Sequence, residues 1–517
     1  VAGILEKKTL KRAYGLMQVA KAARNVRRSE NADREIAKRA LVNLLSNSRG
    51  IPMKIGQFLS DGSEGDAFSA LVHGIDPMPL CDMVPTLEES LGCSWEDVFQ
   101  DVEESTAAAS LGQVHRATLL DGTVTAVKIR YPDIVDAVRA ELKLAGLLPG
   151  MGPARRWGFD VDSYKKALND NMDRELDYAF EAEEQERFRT GMTIPGLNVP
   201  TVNRSLSTSS VLVQSFESGV RLGHASEWSI EERRSVATTL IKTFFTSLFV
   251  TGHVHCDPHE GNMLIKRNPS KSPEVVLLDF GCMVRIDDSE RLALLKMILG
   301  CMEKDDTNLL SCFSEVGFDV EKLDSIADTL PALCRVIFEP FLNDGPFSTK
   351  MWNLNMRTEQ LLGESKWWFR SAGPASLFLL MRAFSGLVSH LETLKITVSW
   401  KDALREVVTP NLAEEARSYV PSRVSLSSLR VIPNFESIAT HLKVLVTEGK
   451  KQIVHVTMPA GQVSVLPEIV PEDVAEKIET SGIDLKSLSE ETCRNGIVPG
   501  ELFSLDVSDR QYRVWLE

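Results

Sequence analysis

Asp257, Asn262 and Asp279 constrain this chain more than any of its other residues. The first and second lie in Val254-His255-Cys256-Asp257-Pro258-His259-Glu260-Gly261-Asn262, and the third in Leu277-Leu278-Asp279-Phe280-Gly281. Transfer of a phosphoryl group from a magnesium-bound nucleotide needs these side chains in this order. One carboxylate approaches the acceptor hydroxyl or water, and an amide oxygen and a second carboxylate hold Mg²⁺ against the phosphates. Each residue alone is bland, because a lone Asp usually caps or turns and Asp-Phe-Gly recurs by chance. The ordered set with its spacing is specific. It demands a fold that delivers two separate loops to one point.

The bulk properties narrow the rest. At 517 residues the chain is too long for one core, and two to four structural units are expected. A hydrophobic content of 43% with 25% charged residues is that of a globular protein. The net charge of −14 argues against a general nucleic-acid binder, which needs basic surface to neutralise phosphates. The eight cysteines are scattered without a Cys-x-x-Cys pair, so free thiols in a reducing compartment are expected. The uncharged stretch Thr243 to Cys256 falls short of the about 18–20 residues that span a bilayer. The apolar run Ala375 to Met381 stops at Arg382. No signal peptide is visible; the sequence starts at Val1, so a start after a processed or truncated leader is expected and targeting is not read from it.

Residues 1–60 carry 13 Lys or Arg against 4 Asp or Glu. Leu10, Ala13, Tyr14, Met17 and Ala20 recur at helical spacing among Lys7, Lys8, Lys11, Arg12, Lys21 and Arg24, which predicts a basic amphipathic helix. It either packs on the body or touches an anionic membrane surface. A helix from Pro52 puts Lys54 and Gln57 on one face, as a site or as a buried polar pair. Ala107-Ala108-Ala109-Ser110-Leu111-Gly112 reads as a loop leading into a strand. Asp121-Gly122 marks a hairpin, and Val124, Ala126 and Lys128 share one face of the returning strand. The small Ala126 leaves room for a flat base, and Lys128 can reach phosphates.

Residues 163–190 read as a highly charged helical stretch. Lys128 needs a carboxylate from it, and periodicity does not choose among Glu175, Asp177, Glu181, Glu183 and Glu184. Val211 to Phe216 is a short strand, Glu217-Ser218-Gly219 a hinge, and 230–420 mainly helical. Val275 to Leu278 is a buried strand that delivers Asp279. Strands at Gln452–Val456 and Gln511–Leu516, with a helix near Pro471–Thr480, indicate a small C-terminal α+β unit. The cluster His253, His255, Cys256, Asp257 and His259 lacks the spacing of a structural zinc site, and His255 and His259 are better read as positioning the catalytic loop.

These residues resemble the UbiB-type atypical kinases, the aarF-domain-containing kinases, over roughly residues 35–400. Lys54-Ile55-Gly56-Gln57 is similar to the family's KxGQ motif. Ala107-Ala108-Ala109-Ser110 is similar to the alanine-rich loop that replaces a glycine-rich one, and Glu175-Leu176-Asp177 to its ExD motif. The resemblance implies that Glu181 pairs with Lys128. It also implies that Glu175 and Asp177 face the Lys54/Gln57 helix, which gates the site by lying across the usual protein-substrate groove. It implies ATP hydrolysis or restricted phosphoryl transfer to a small or lipid-like acceptor, in support of isoprenoid quinone (coenzyme Q-type) biosynthesis or distribution at a membrane surface. Cys256 and Glu260 stand where the family often has Ala and Pro, and residues 425–517 match no element of it.

The expectation is therefore an α+β, two-lobed, atypical protein-kinase-like fold. Its parts are an N-terminal helical extension over 1–100, an N-lobe over 101–220, a helical C-lobe over 221–424 and an α+β appendage over 425–517. Asp257, Lys128 and Glu181 are the catalytic residues. Ala107, Ala108, Ala109, Ser110, Ala126 and Lys128 bind ATP, and Asn262 and Asp279 bind Mg²⁺. Expected partners are ATP, a small or lipid-like acceptor, an anionic membrane surface and quinone-biosynthesis proteins, without nucleic acid. The expected setting is intracellular and peripheral to a membrane, with mitochondrial matrix, plastid and bacterial cytoplasmic face all open. The rival reading is a catalytically weak, nucleotide-gated scaffold or lipid chaperone.

Overall fold

The structure, a computed structural model, describes residues 77–109, 111–139, 161–268, 272–305, 307–324, 326–422, 439, 441–449, 451–460, 463, 466–470, 472–494, 499–507 and 510–517. The basic helix predicted around Leu10–Arg24, the Lys54/Gln57 segment and Ser110 lie outside these residues.

A four-stranded antiparallel sheet forms the first lobe, in the order β1 (Phe99–Ala108), β2 (Gly112–Leu119), β3 (Val124–Arg130) and β5 (Val211–Ser215). The Asp121-Gly122 turn joins β2 to β3 as its residues predict. Gly122 sits at φ +85°, and the Asp121 carboxylate accepts from the Thr123 amide at 2.8 Å. The alanine segment departs from expectation. Ala107 and Ala108 end strand β1 and pair with Val114 and Gln113, so the connection is shorter than the loop the sequence suggests. Sheet pairing overrides alanine's weak preference for strands. The Ala109 amide closes this connection on the Gly112 carbonyl at 2.8 Å.

Helix α1 (Leu80–Leu91) lays Met83 and Leu87, one turn apart, on this sheet beside Phe99, Val127 and Ile129, all at most 1% exposed. Full burial of such aliphatic side chains contributes about 1.5–3 kcal/mol each. The charged stretch after β3 is two helices rather than one, α2 (Val161–Glu175) and α3 (Tyr178–Gly191). Asp177 is the break, since its carboxylate caps α3 by accepting from the Ala179 amide at 3.1 Å.

The second lobe is mainly helical around the short strands β4 (Leu197–Asn198), β6 (His253–His255), β7 (Met263–Lys266), β8 (Glu274–Leu277) and β9 (Met283–Arg285). Strands β4, β8 and β7 form one small sheet, and β6 and β9 pair antiparallel. Helix α4 (Ile230–Phe245) starts with a Ser229/Glu232 capping box and ends in a π-helical turn over Thr246–Thr251 that leads into β6. Helix α5 (Asp288–Glu303) follows β9, and α6 (Ala375–Thr393) crosses behind β6 and β9. The hinge segment is tied to this lobe, with Val220 and Ile265 exchanging backbone bonds at 2.9 and 2.8 Å. The seven cysteines whose side chains are described are all free thiols. Among the described residues, no helix is long and apolar enough to cross a membrane.

The C-terminal unit has its own core. Strands β10 (His441–Glu448), β11 (Lys451–Pro459), β12 (Gly500–Val507) and β13 (Arg510–Leu516) form a sheet in the order β11-β10-β13-β12. Leu442, Phe503, Val514 and Leu516 pack with Ile478 and Leu485 of helices α7 (Glu472–Thr480) and α8 (Leu485–Arg494). The fold as a whole is of the α+β class.

Candidate active site

Three elements converge on Lys128. Strand β3 presents it beside the buried Ala126, and its ammonium donates to both oxygens of Glu181 at 2.8 Å and to Asp279 Oδ2 at 2.9 Å. Of the acidic residues in the helical stretch, Glu181 is therefore the one placed at the lysine. Burial alone would strip the charge from Lys128, but Asp279 and Glu181 together hold its ammonium well above the usual lysine range. Glu181 is pushed up to about 7, first by burial and then by Asp279, against the opposing pull of Lys128. The three groups thus carry one positive charge against two carboxyls in a buried place.

Helix α3 uses one face for the whole seam. Glu181 meets Lys128. Glu184, one turn on, pairs with His253 and with Arg285 at 2.7 Å. Phe188, a further turn on, meets the ring of Phe280 with centroids 5.2 Å apart. Positions three, four and seven apart share a helix face, so this stripe ties α3 to β6, β9 and the Asp-Phe-Gly turn. His255 stacks edge-on against Phe280 at 5.3 Å, and its Nε2 donates to the Asp279 carbonyl at 2.5 Å. Burial lowers the His255 pKa, which favours the neutral ring, and this bond fixes that ring as the Nε2–H tautomer.

Asp257 follows the end of β6, and Asn262 directly precedes β7. The Asn262 amide nitrogen donates to Asp257 Oδ2 at 2.9 Å, which leaves its amide oxygen for a cation. Asn262 also accepts the Leu278 amide on its backbone at 3.0 Å, so the β7–β8 pairing sets it beside the residue that precedes Asp279. Asp279 Oδ1 accepts from the Gly281 amide at 3.0 Å. An amide oxygen, a carboxylate and a local deficit of positive charge are the donor chemistry that fits Mg²⁺.

The other expected residues fall as follows. Glu175 is buried and accepts from the Asn171 amide at 2.8 Å; a β-carbon at Gly281 would lie 3.4 Å from its Cγ, so it adjoins the Asp-Phe-Gly turn. Asp177 is half-buried and caps α3. Ala107, Ala108 and Ala109 line the end of the β1–β2 hairpin. Lys54, Gln57 and Ser110 lie outside the described residues. His259 accepts the Gly261 amide on its own ring at 2.9 Å, which shapes the turn before Asn262.

Sequence reasoning missed the support from α6. Arg382, Gly386 and His390 recur every four residues along one helix face, and that face meets the Asp257–Asn262 loop. Arg382 donates to Asp257 Oδ1 at 2.5 Å and to the Cys256 carbonyl at 3.3 Å. A β-carbon at Gly386 would overlap the Pro258 ring, so only glycine allows the approach. His390 is buried against the Pro258 backbone, its pKa lowered to about 4 chiefly by burial. The signal was an arginine at helical spacing inside an apolar run, read above only as the end of that run.

Residues 70–313 match the ABC1 atypical kinase-like domain. AarF domain-containing protein kinase 1 of Xenopus laevis is 31% identical over 270 residues, or 49% of this chain and 51% of the relative. The mitochondrial atypical kinase COQ8B of Rattus norvegicus is 31% identical over 250 residues, 47% of each. The mitochondrial atypical kinase coq-8 of Caenorhabditis elegans is 24% identical over 388 residues, 73% of this chain and 51% of the relative. The chain spans about half the length of the curated relatives it matches. The solved structure of an Rv3197–erythromycin complex from Mycobacterium tuberculosis shares its fold, with a TM-score of 0.51 at 23% identity over 80% of this chain and 99% of that one.

Proposed function

The chain belongs to the UbiB-type atypical kinases, the AarF-domain group, and from that premise we propose that it binds Mg–ATP and hydrolyses it or passes its phosphoryl group to a small or lipid-like acceptor. The observation that supports this best is the Lys128 ammonium held between Glu181 and Asp279. When a nucleotide enters, Lys128 turns from Asp279 to the phosphates while Glu181 keeps hold of its ammonium. Asn262 and Asp279 are the residues that would hold Mg²⁺, which when bound neutralises charge on the phosphate oxygens. Asp257 orients the attacking hydroxyl or water and takes its proton. Its side chain and that of Arg382 are at most 7% exposed, which favours a slender nucleophile such as water. Glu175 and Asp177, with Lys54 and Gln57, gate the site in this reading.

The relatives of rat and nematode are named mitochondrial, and family resemblance points to quinone lipids such as coenzyme Q. We extend both to this chain as proposals, with a peripheral membrane surface as the place of work and quinone-biosynthesis proteins as partners. A second reading has its own observation. Both Asp257 oxygens are engaged, one by Arg382 and one by Asn262, which would blunt a base. That favours a nucleotide-gated scaffold or lipid chaperone with slow turnover.

ATPase assays with and without anionic-lipid vesicles separate the two. Turnover that vesicles stimulate and that Asp257→Asn abolishes supports the enzyme. Tight nucleotide binding with turnover untouched by Asp257→Asn supports the scaffold.

A further inference from the structure

Tyr178 opens helix α3 one turn ahead of Glu181 and is 1% exposed. The Lys128 ammonium lies over its ring, 4.8 Å from the centre, so the ring steadies the lysine as a cation–π platform. Its hydroxyl is buried and has no hydrogen-bond partner among the described residues. Burial raises the phenol's pKa against the opposing pull of Lys128, so the O–H proton stays in place. The hydroxyl lies against Gly112, the first residue of β2: a β-carbon there would overlap both it and the Ile129 carbonyl.

Phenylalanine would supply the same ring without the cost of burying an unpaired O–H. A hydroxyl kept there without a partner has its use in another state of the site. Lys128, Glu181 and Asp279 are the charged groups that act on it, together with Arg130, and none of the four is bonded to it. The species that enters this neighbourhood, on the reading proposed above, is a nucleotide whose phosphate oxygens are strong acceptors.

We infer that Tyr178 is a further nucleotide-binding residue: its ring carries Lys128, and its buried hydroxyl, left clear by the bare Gly112, donates to a phosphate oxygen of the bound nucleotide. No bond is made or broken in this step.

The test is Tyr178→Phe in the full chain, with melting temperature measured without ligand and calorimetric titration with Mg–ATP, Mg–ADP and adenosine. The variant should melt no lower than the wild type, since it sheds an unpaired polar group. Its affinity for both phosphate-bearing ligands should fall about three- to tenfold, the worth of one hydrogen bond, with adenosine affinity unchanged. Equal affinity for Mg–ATP in both proteins, or an equal loss for adenosine, overturns the inference. A wild-type chain that binds no Mg-nucleotide overturns the reading of the site as well. 3-Fluorotyrosine at position 178 gives a second measure that keeps the hydroxyl. Its fluorine resonance should move with Mg–ADP and not with adenosine, and a resonance indifferent to Mg–ADP overturns the inference.

Discussion

Arg382 donates to Asp257 Oδ1 at 2.5 Å across 125 residues of chain, and both side chains are buried. The loop that bears Asp257 is thus held from behind by helix α6 as well as by its own strand. Removing one partner of a buried pair strands the other charge, at a cost of about 3–5 kcal/mol. Arg382→Gln should therefore destabilise the protein by about that much in urea denaturation. Arg382→Gln with Asp257→Asn should recover a large part of the loss, because no buried charge is left alone. Additive losses would mean that the two groups do not sense each other.

Gly386→Ala acts on the same loop by volume rather than charge. Its methyl would overlap Pro258, so the loop must move away from α6. A displacement of about 1 Å at a reacting group can cost about 100-fold in rate. The expected result is a fall in ATPase kcat of at least about tenfold with a smaller loss of Mg–ATP affinity, because Pro258 adjoins Asp257 while Lys128 and Asp279 stand on other elements. Steady-state kinetics beside nucleotide titration check this.

Glu181 makes the free protein's stability depend on pH. Its folded pKa is about 7 against an ordinary 4.5, so between these values the folded state keeps a proton that the unfolded state releases. Stability is fully present below about pH 4.5 and declines as pH rises through about 7, by on the order of 3 kcal/mol for this group. Glu181→Gln should flatten that part of the profile, which denaturation at a series of pH values would show. An unchanged slope in the variant would assign the effect elsewhere.

Ala107→Gly and Ala108→Gly test the hairpin roof. Both positions are at the end of β1, where glycine loosens a strand by about 0.5–1 kcal/mol and lets the backbone approach phosphates more closely. Each should change the ratio of ADP to ATP affinity in calorimetric titration. Ratios equal to the wild type would remove the role given to these methyl groups.

The parts legible in the sequence were those set by local chemistry. Asp121-Gly122 and the alternation through Lys128 announced the hairpin, and the five-residue step from Asp257 to Asn262 announced the loop, because both are fixed by short-range geometry. The break between α2 and α3 was hidden by charged residues on all sides of the helical stretch, where no apolar stripe marks a phase. Ala107 and Ala108 looked like loop because their strand is made by pairing with β2 rather than by propensity. Arg382 inside an apolar run marked a buried charge, but its partner is 125 positions away and helical spacing does not name a partner at that range. Strands β10 and β12 were likewise left out of the C-terminal unit, although β13 between them was read.

The central claim is that Lys128, Asn262 and Asp279 form one seat for a magnesium nucleotide. The most direct measurement is the melting temperature of the wild type and of Asp279→Asn with ATP, in Mg²⁺ and in excess chelator. The account predicts a rise in the wild type that requires Mg²⁺ and is lost in Asp279→Asn. An equal Mg²⁺-dependent rise in the variant would contradict it.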